Sequence, residues 1–288
     1  MMSTEITKAF VEQYSSNIQM LSQQKGSLLR DKVRLESVTG KNAFFDQIGS
    51  VTATVRSTRH SDTPQADTPH SRRRVSLVDY EFADLVDDLD KVRMLVDPTS
   101  SYAQAAAYAM GRAMDDAILT AAIGSSDTGV AGGTAVALPA GQKIVESGTA
   151  GLTVAKLRQA KEIIDLADVD PSLKRYIVVS PKQISDLLGT TEVTSSDFNT
   201  VKALAAGDVN TFLGFDFCVS NRLAIASSKR KCIAFVQDGV ALAVGKDSTA
   251  RIDERSDKGY ATQVYYSAAF GATRMEEAKV VEVQAHEA

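Results

Sequence analysis

Two segments in the first third of the chain alternate apolar and polar residues, as β-strands with one covered face do. They are Val51–Ser57 and Val75–Tyr80, and a polar, proline-containing sequence separates them. This pattern predicts two antiparallel strands joined by a long loop. Because an isolated two-stranded ribbon is only marginally stable in water, another surface has to cover it. We expect that surface to belong to a second copy of the same chain.

Apolar residues at spacings of three and four predict helices over residues 4–29, 82–96, 100–124, 153–166 and 180–188. The third is the clearest, because Ser100 or Ser101 can cap its start and Gly124 suits its end. Its many alanines give it a high helix propensity. Roughly 23 residues at about 1.5 Å each make a rod of about 35 Å. The pattern fits a plain buried helix as well as a dedicated strut.

The second half of the chain is rich in strand-length apolar segments. Tyr176–Val179 is a short continuous apolar run, which favours a buried central strand. Further strands are predicted at 215–219, 232–236, 240–244, 250–254, 260–270 and 279–284. Residues 124–151 are rich in Gly, Ser and Ala and predict short strands and turns or a flexible loop. Helices and strands in separate runs indicate the α+β class.

Composition limits the choice of protein class. The chain has 288 residues, of which 44% are hydrophobic and 24% charged, as in an ordinary globular protein with ample core. A net charge of -4 does not favour nucleic-acid or membrane binding across the whole surface. No apolar run has the length of a membrane span, and the first residues lack the apolar centre of a signal peptide. Cys218 and Cys232 are too few for a disulfide framework, so we expect synthesis in a reducing cytoplasm.

Catalytic and cofactor motifs give no prediction of a site. His60, His70 and His286 fall in the polar loop and near the C-terminus, where we expect solvent exposure rather than a catalytic triad or metal site. Residues 239–246 superficially resemble a phosphate-binding loop. The spacing between the glycines is too long by one residue, and Asp247 replaces the hydroxyl side chain that should hold magnesium. We therefore predict no catalytic, cofactor-binding or metal-binding residue, and no enzyme.

Adjacent carboxylates at Asp115 and Asp116 lie on the alanine-rich helix. Neighbouring helical residues point about 100 degrees apart. Arg112 has the spacing to pair with either of them. A solvated or interfacial salt bridge is the prediction.

Charge is segregated between the hairpin, which is basic, and the segment after it, which is acidic. Such a pattern suits repeated contacts between copies of one chain. The candidate inter-subunit residues are Arg56, Arg59, Arg72, Arg73, Arg74, Asp84, Asp87, Asp88 and Asp90. Two solvated faces, or pairing within one subunit, would explain the same pattern. Binding of the arginines to nucleic-acid phosphates is a further alternative, although no aromatic residues are interleaved for base stacking.

The order of these elements, with several short segments, resembles the major capsid proteins of tailed bacteriophages, which have the Hong Kong 97-type fold. The segments that carry the resemblance are Arg59–Pro64, Pro69–Arg74, Asp90–Arg93, Asp97–Ser100, Ala109–Asp116, Gly214–Asn221 and Ala268–Arg274. The resemblance covers nearly the whole chain. It implies an N-arm at 1–44, an extended E-loop at 45–80, a peripheral domain with a spine helix at 81–129 and 246–288, and an axial domain at 130–245.

The resemblance also implies a function. Such proteins form hexamers and pentamers in an icosahedral shell that encloses double-stranded DNA without sequence-specific binding, usually with a scaffolding protein and a portal. The implied location is the virion, after assembly in the host bacterial cytoplasm, and no cofactor or membrane is implied. Some relatives join neighbouring subunits covalently through a lysine on the E-loop and an asparagine. No lysine occurs between Asn42 and Asp90, so we expect a shell held by non-covalent contacts.

Two rival functions stay open at this point. An encapsulin-like nanocompartment shares the fold and would enclose a cargo enzyme instead of DNA. An enzyme with an unrecognised active site is the other rival, and the lack of clustered His, Cys or phosphate-loop motifs counts against it.

Overall fold

The computed structural model describes residues 22–56, 58–59, 62, 65–87, 99–189 and 211–287. Three α-helices lie in these ranges: α1 Thr99–Ile123, α2 Val154–Asp165 and α3 Pro181–Leu188. The strands in these ranges are β1 Arg34–Ser37, β2 Asn42–Ile48, β3 His70–Ser76, β4 Val78–Val86, β5 Ser126–Thr128, β6 Thr134–Val136, β7 Lys143–Ile144, β8 Arg175–Val179, β9 Thr211–Phe212, β10 Phe215–Val219, β11 Ile225–Ala226, β12 Lys229–Val236, β13 Val240–Arg255, β14 Ala261–Arg274 and β15 Val280–His286. The α+β class is confirmed.

A four-stranded sheet in the order β1-β13-β14-β4 carries the long helix α1. Most of it is a long antiparallel hairpin, in which β13 pairs with β14 from Val240 opposite Arg274 to Arg255 opposite Ala261. Helix α1 packs mainly against β14. The helix buries a stripe at a spacing of four, consisting of Ala106, Met110, Met114, Ile118 and Ala122. Ala106 and Ala122, the two small residues of that stripe, let the helix approach the sheet closely. Helix α1 is therefore part of the core and also a long rod.

A second sheet has the order β7-β15-β12-β8-β10-β9, with β11 paired to β12. Its central strand β8 is buried at all five residues, which confirms the buried strand predicted from the run at 176–179. Helix α2 begins after Thr153, whose side chain accepts a hydrogen bond from the Lys156 amide. Helix α3 begins with Pro181 after a capping box formed by Ser180 and Gln183.

The third sheet, in the order β2-β3-β5-β6, contains the hairpin. Its strands are Asn42–Ile48 and His70–Ser76. The predicted strand at 51–57 was wrong over its described residues 51–56, and the second strand begins five residues earlier than predicted. Residues 51–56 are exposed and form no strand. Their alternation is regular, but they form no strand pairing with the described residues 65–69 on the other side of the loop.

The predicted helix at 82–96 was also wrong over its described part. Residues 78–86 form strand β4, which pairs with β14 and alternates exposed and covered residues. Residues 88–98 lie outside the described residues. The apolar positions in this short acidic segment fit a period of two as well as a helical period, and pairing with β14 decides between them. Of the predicted helix at 4–29, residues 1–21 are outside the description and residues 22–29 are not helical.

Sheet membership differs from the domain boundaries implied by the resemblance at several strands, including β6, which pairs with β5 in the third sheet although 130–245 was expected in the axial domain. Two further differences concern β15 and β13. Strand β15 at 280–286 pairs with β12 in the seven-stranded sheet, although 246–288 was expected in the other domain. Strand β13 begins at residue 240, inside the range expected for the axial domain, and continues to 255 as one strand with bulges. Backbone pairing over long sequence distances fixes both assignments, and local patterns do not report it.

Candidate inter-subunit surface

Strands β2 and β3 form a ribbon that carries an exposed loop. Its register runs from Asn42 opposite Ser76 to Ile48 opposite His70. The Gly49 amide donates to the Pro69 carbonyl at 2.8 Å and closes the end. We call residues 50–68 the arm loop. Nearly all of its described residues are exposed, and Val55 is 94% exposed.

Arg72 pairs across the ribbon with Asp46. Its Nε lies 2.5 Å from Asp46 Oδ1, and the guanidinium stands 5.5 Å from the centre of the Phe44 ring, within the range of a cation–π contact. The hydrogen bond from Arg72 holds the pKa of the Asp46 carboxyl below its usual value. Both side chains are exposed, so the pair contributes little to stability.

Arg73 is turned inward and joins the ribbon to the body of its own subunit. It is 7% exposed. Its Nε donates to the Met275 carbonyl at 3.0 Å, and its Nη2 lies 2.7 Å from both carboxylate oxygens of Glu277. The Gln47 side-chain amide donates to the same Met275 carbonyl at 2.9 Å, so both strands of the ribbon are attached at one point.

A second arginine shares the Glu277 carboxylate. Arg274 is fully buried, and its Nη2 lies 3.7 Å from Glu277 Oε1. It donates to the carbonyls of Ala122, Gly124 and Val136 at 3.1, 2.5 and 2.9 Å. Burial lowers the pKa of Arg274, and Glu277 opposes that effect. We call Arg73, Arg274 and Glu277 the root hub.

Arg74 attaches the ribbon at a further point. Its Nη2 lies 2.5 Å from Asp127 Oδ2 on β5, and β3 pairs with β5 at Arg73 and Arg74. The Thr128 hydroxyl donates to the Arg72 carbonyl at 2.8 Å. Arg72, Arg73 and Arg74 thus each have a carboxylate partner inside their own chain, which was one of the alternatives left open by the sequence.

The remaining candidates lie on other surfaces. Arg56 and Arg59 are exposed on the arm loop, and Arg56 Nε donates to the Thr58 carbonyl at 3.1 Å. Asp84 lies on β4 opposite Val264 of β14, and Asp87 is exposed just after that strand. Asp88 and Asp90 lie outside the described residues.

A clasp around Asp115, which the sequence did not predict, fastens the N-terminal segment to α1. Asp115 is 0% exposed. It accepts hydrogen bonds from the Gln24 side chain and Ser27 hydroxyl, each at 2.5 Å, and from the Leu28 and Leu29 amides at 3.0 and 3.1 Å. The predicted pairing of Asp115 with Arg112 was wrong, because Asp115 is enclosed by the segment that crosses the helix.

The neighbours of Asp115 explain how close that crossing is. A Cβ on Gly111 would lie 2.4 Å from the carbonyl carbon of Gly26, so only glycine fits there. Arg112 Nη1 donates to Gln23 Oε1 at 3.0 Å and does not pair with either aspartate. Asp116 instead forms a half-exposed pair with Arg222.

Groups with catalytic potential do not converge in the described ranges. No cluster of three or more His, Cys, Asp or Glu side chains able to hold a metal occurs there. His70 is exposed on the ribbon and His286 ends β15, while His60 lies outside the description. Burial raises the pKa of the Cys218 thiol, and raises that of Cys232 to about 12. No helix among the described residues is long and apolar enough to cross a membrane.

Comparison with known proteins agrees with this architecture. The model of the phage capsid protein family matches residues 6–287. The fold is similar to the capsid of the cyanophage P-SCSP1u at 18% identity, with a TM-score of 0.77 and coverage of 98% of this chain and 95% of the other. It is also similar to the capsid of Ralstonia phage GP4 at 12% identity, TM-score 0.75, and coverage of 97% and 96%. The capsid of Helicobacter pylori bacteriophage KHP30 gives 11% identity, TM-score 0.75, and coverage of 98% and 97%. The comparison with curated protein sequences gave no match.

These features define a shell-forming structural protein with the Hong Kong 97-type fold: a long helix on a long hairpin, a separate mixed sheet and a projecting ribbon. The chain belongs to the phage capsid protein family, and it is a major capsid protein of tailed-phage type. Its place is accordingly a homo-oligomeric shell in the virion. The resemblance drawn from the sequence is confirmed.

Proposed function

We propose that this chain forms hexamers and pentamers in an icosahedral head that encloses double-stranded DNA. The observation that supports this most strongly is the family match across residues 6–287. The role is structural rather than catalytic. Assembly takes place in the host bacterial cytoplasm with a scaffolding protein and a portal, as the family implies, and the DNA is enclosed without sequence-specific contacts.

The domain assignment follows the sheets. The seven-stranded sheet with α2 and α3 forms the axial domain, and the β1-β13-β14-β4 sheet with α1 as spine helix forms the peripheral domain. The ribbon with its arm loop is the E-loop, and the chain before β1 is the N-arm. On this assignment the last strand, β15, belongs to the axial domain, because it pairs with β12.

We place the contact between copies at the arm loop. Arg56 and Arg59 are exposed there, whereas Arg72, Arg73 and Arg74 have partners in their own chain. The acidic side of the contact is the edge and end of β4 on a neighbour, at Asp84 and Asp87. Asp88 and Asp90, which follow in the sequence, remain candidates from the charge pattern alone. Opposite charges on two surfaces that meet repeatedly give register and association rate more than raw affinity.

The shell is held by non-covalent contacts. No lysine occurs between Asn42 and Asp90, so the E-loop cannot supply the lysine that some relatives use for a covalent bond. Assembled shells boiled in detergent should therefore migrate as one band of about 30.8 kDa. A ladder of covalent multimers would contradict this.

Negative-stain electron microscopy of the protein, expressed with and without its phage partners, tests the proposed function. Closed shells, and DNA-filled heads from infected cells, are the expected result. Small shells that hold an enzyme would favour the encapsulin-like alternative. A chain that stays monomeric under all assembly conditions would overturn the proposal.

A further inference from the structure

We propose that the root hub is a positioning device, in which Arg73 and Glu277 fix the direction of the ribbon so that the arm loop meets a neighbouring copy. This rests on the proposed function of the arm loop. It gives Arg73 a role inside its own subunit in place of a contact across the interface. Glu277 then becomes as important for assembly as the arginine.

Four hydrogen bonds to Met275 and Glu277 link the ribbon to the body of the subunit. Met275 O accepts from Arg73 on β3 and from Gln47 on β2, and Glu277 accepts two further bonds from Arg73. Links on both strands resist rotation as well as bending. The ribbon is attached to the body of the subunit along its paired strands. The side chains become exposed to solvent in the described part of the arm loop.

A small tilt of the ribbon at the root hub produces a larger displacement further out along the ribbon and arm loop. Each strand of the ribbon has seven residues, so the ribbon is about 23 Å long at about 3.3 Å per residue. Arg73 is the fourth residue of β3 and lies about 10 Å from the end of the ribbon at His70, beyond which the arm loop extends. A tilt of about 10° at Arg73 would displace that end by about 2 Å and the arm loop by more, whereas binding contacts tolerate errors of about 0.5 Å. A ribbon without fixed direction would present Arg56 and Arg59 at many positions, and few of them would match a neighbour.

The root hub contains one negative and two positive side chains. Glu277 is a single carboxylate between two arginines, Arg73 at 7% exposure and Arg274 at 0%. Removing its charge leaves both guanidiniums buried without a counter-ion, which is costly in a region of low dielectric. The two-oxygen contact from Arg73 also has a defined geometry that a lysine cannot reproduce.

The root hub reaches α1 as well. Arg274 donates to the carbonyls of Ala122 and Gly124, where the helix ends and a cation complements the helix dipole. The direction of the ribbon is thereby tied to the end of α1, the longest helix among the described residues.

The experiment measures ribbon direction in unassembled subunits and shell formation separately. Spin labels are placed on Thr54→Cys in the arm loop and Ser37→Cys in β1, both exposed, while the two native thiols are buried. Distributions of the distance between the two spin labels are recorded by pulsed electron paramagnetic resonance for the parent protein and for R73A, R73K and E277Q. The control is R72A, because the neighbouring Arg72 pairs only across the ribbon with Asp46.

We expect R73A and E277Q to broaden the distance distribution at least twofold and to slow assembly at least tenfold, with unchanged circular dichroism. R73K keeps the charge and covers the case in which R73A does not fold, and it should broaden the distribution to a smaller extent. R72A should keep the parent width. Distance distributions for R73K and E277Q that are as narrow as that of the parent protein would overturn the proposal. If the Arg73 variants fail to assemble while their distributions keep the parent width, Arg73 is assigned to the interface itself. Failure of the parent protein to form shells would refute the proposed function and leave the distance test intact.

Discussion

Replacing Asp115 by alanine should detach the N-terminal segment from α1 and strongly destabilise the subunit. Asp115 is fully buried and accepts from four groups, including the Leu28 and Leu29 amides. A buried donor left without an acceptor, here the Leu29 amide, costs about 1–3 kcal/mol. Three further hydrogen bonds to this carboxylate are lost, and a hydrogen bond to a charged group contributes about 1.5–3 kcal/mol, so we expect a total loss of about 3–5 kcal/mol.

The adjacent Asp116→Ala is a matched control. Both changes replace aspartate by alanine in the same turn of α1, so the gain in helix propensity is the same and cancels in the comparison. Asp116 pairs with Arg222 at a half-exposed site, where a salt bridge contributes about 0–1 kcal/mol. Denaturant unfolding of unassembled subunits should therefore separate the two variants by at least about 2 kcal/mol.

A second measurement locates the effect. Limited proteolysis should cut Asp115→Ala early within residues 22–33, while Asp116→Ala should resist as the parent does. Equal free energies of unfolding for the two variants, with equal protection of that segment, would refute the assignment of Asp115 as the clasp.

Three further predictions follow from other contacts. Gly111→Ala should destabilise the subunit by about 1–3 kcal/mol in the same unfolding assay, since its Cβ would overlap the backbone of Gly26; an unchanged midpoint would contradict the close crossing. The pKa of Glu287 is lowered from 4.5 to about 2, first by the hydrogen bond from Arg230, so its stabilising effect is complete above pH of about 4.5 and is lost as the pH falls towards 2. Melting temperatures between pH 5 and pH 3 should fall less steeply for Glu287→Gln than for the parent, and identical slopes would argue against the pair. Cys232 should not react with a thiol reagent at pH 8 until denaturant is added, because its pKa is about 12 and it is fully buried.

Helix α1 could be predicted almost to the residue, since its signals are local. Serine near its start, alanines through its length and Gly124 after its end all act within a few residues. Strand β4 could not, because its partner β14 lies about 180 residues away in sequence, as the bond from Tyr265 to Glu81 shows. Where a short segment fits both the strand period and the helix period, a partner strand that is remote in sequence decides which element forms.

The roles of the arginines show the same limit for the candidate surface. The sequence indicated that the hairpin is basic, and exposure of Arg56 and Arg59 agrees with a role at the surface. It could not reveal that Arg73 faces Glu277, because no local pattern connects residues 204 positions apart. The pairing of Asp115 failed for a similar reason, since its partners lie in a segment that precedes it by 86 to 91 positions.

The separation of Arg73 and Glu277 also has a consequence for synthesis on the ribosome. A ribosome adding about 5–20 residues per second needs roughly 10–40 s to make the 204 positions between them. Throughout that time Arg73 has no Glu277 to bind, so the nascent ribbon lacks its link to the root hub. The link from Arg73 to Glu277 forms only when translation is nearly complete, so we expect chains that stop before residue 277 to lack the fixed ribbon direction and to assemble poorly.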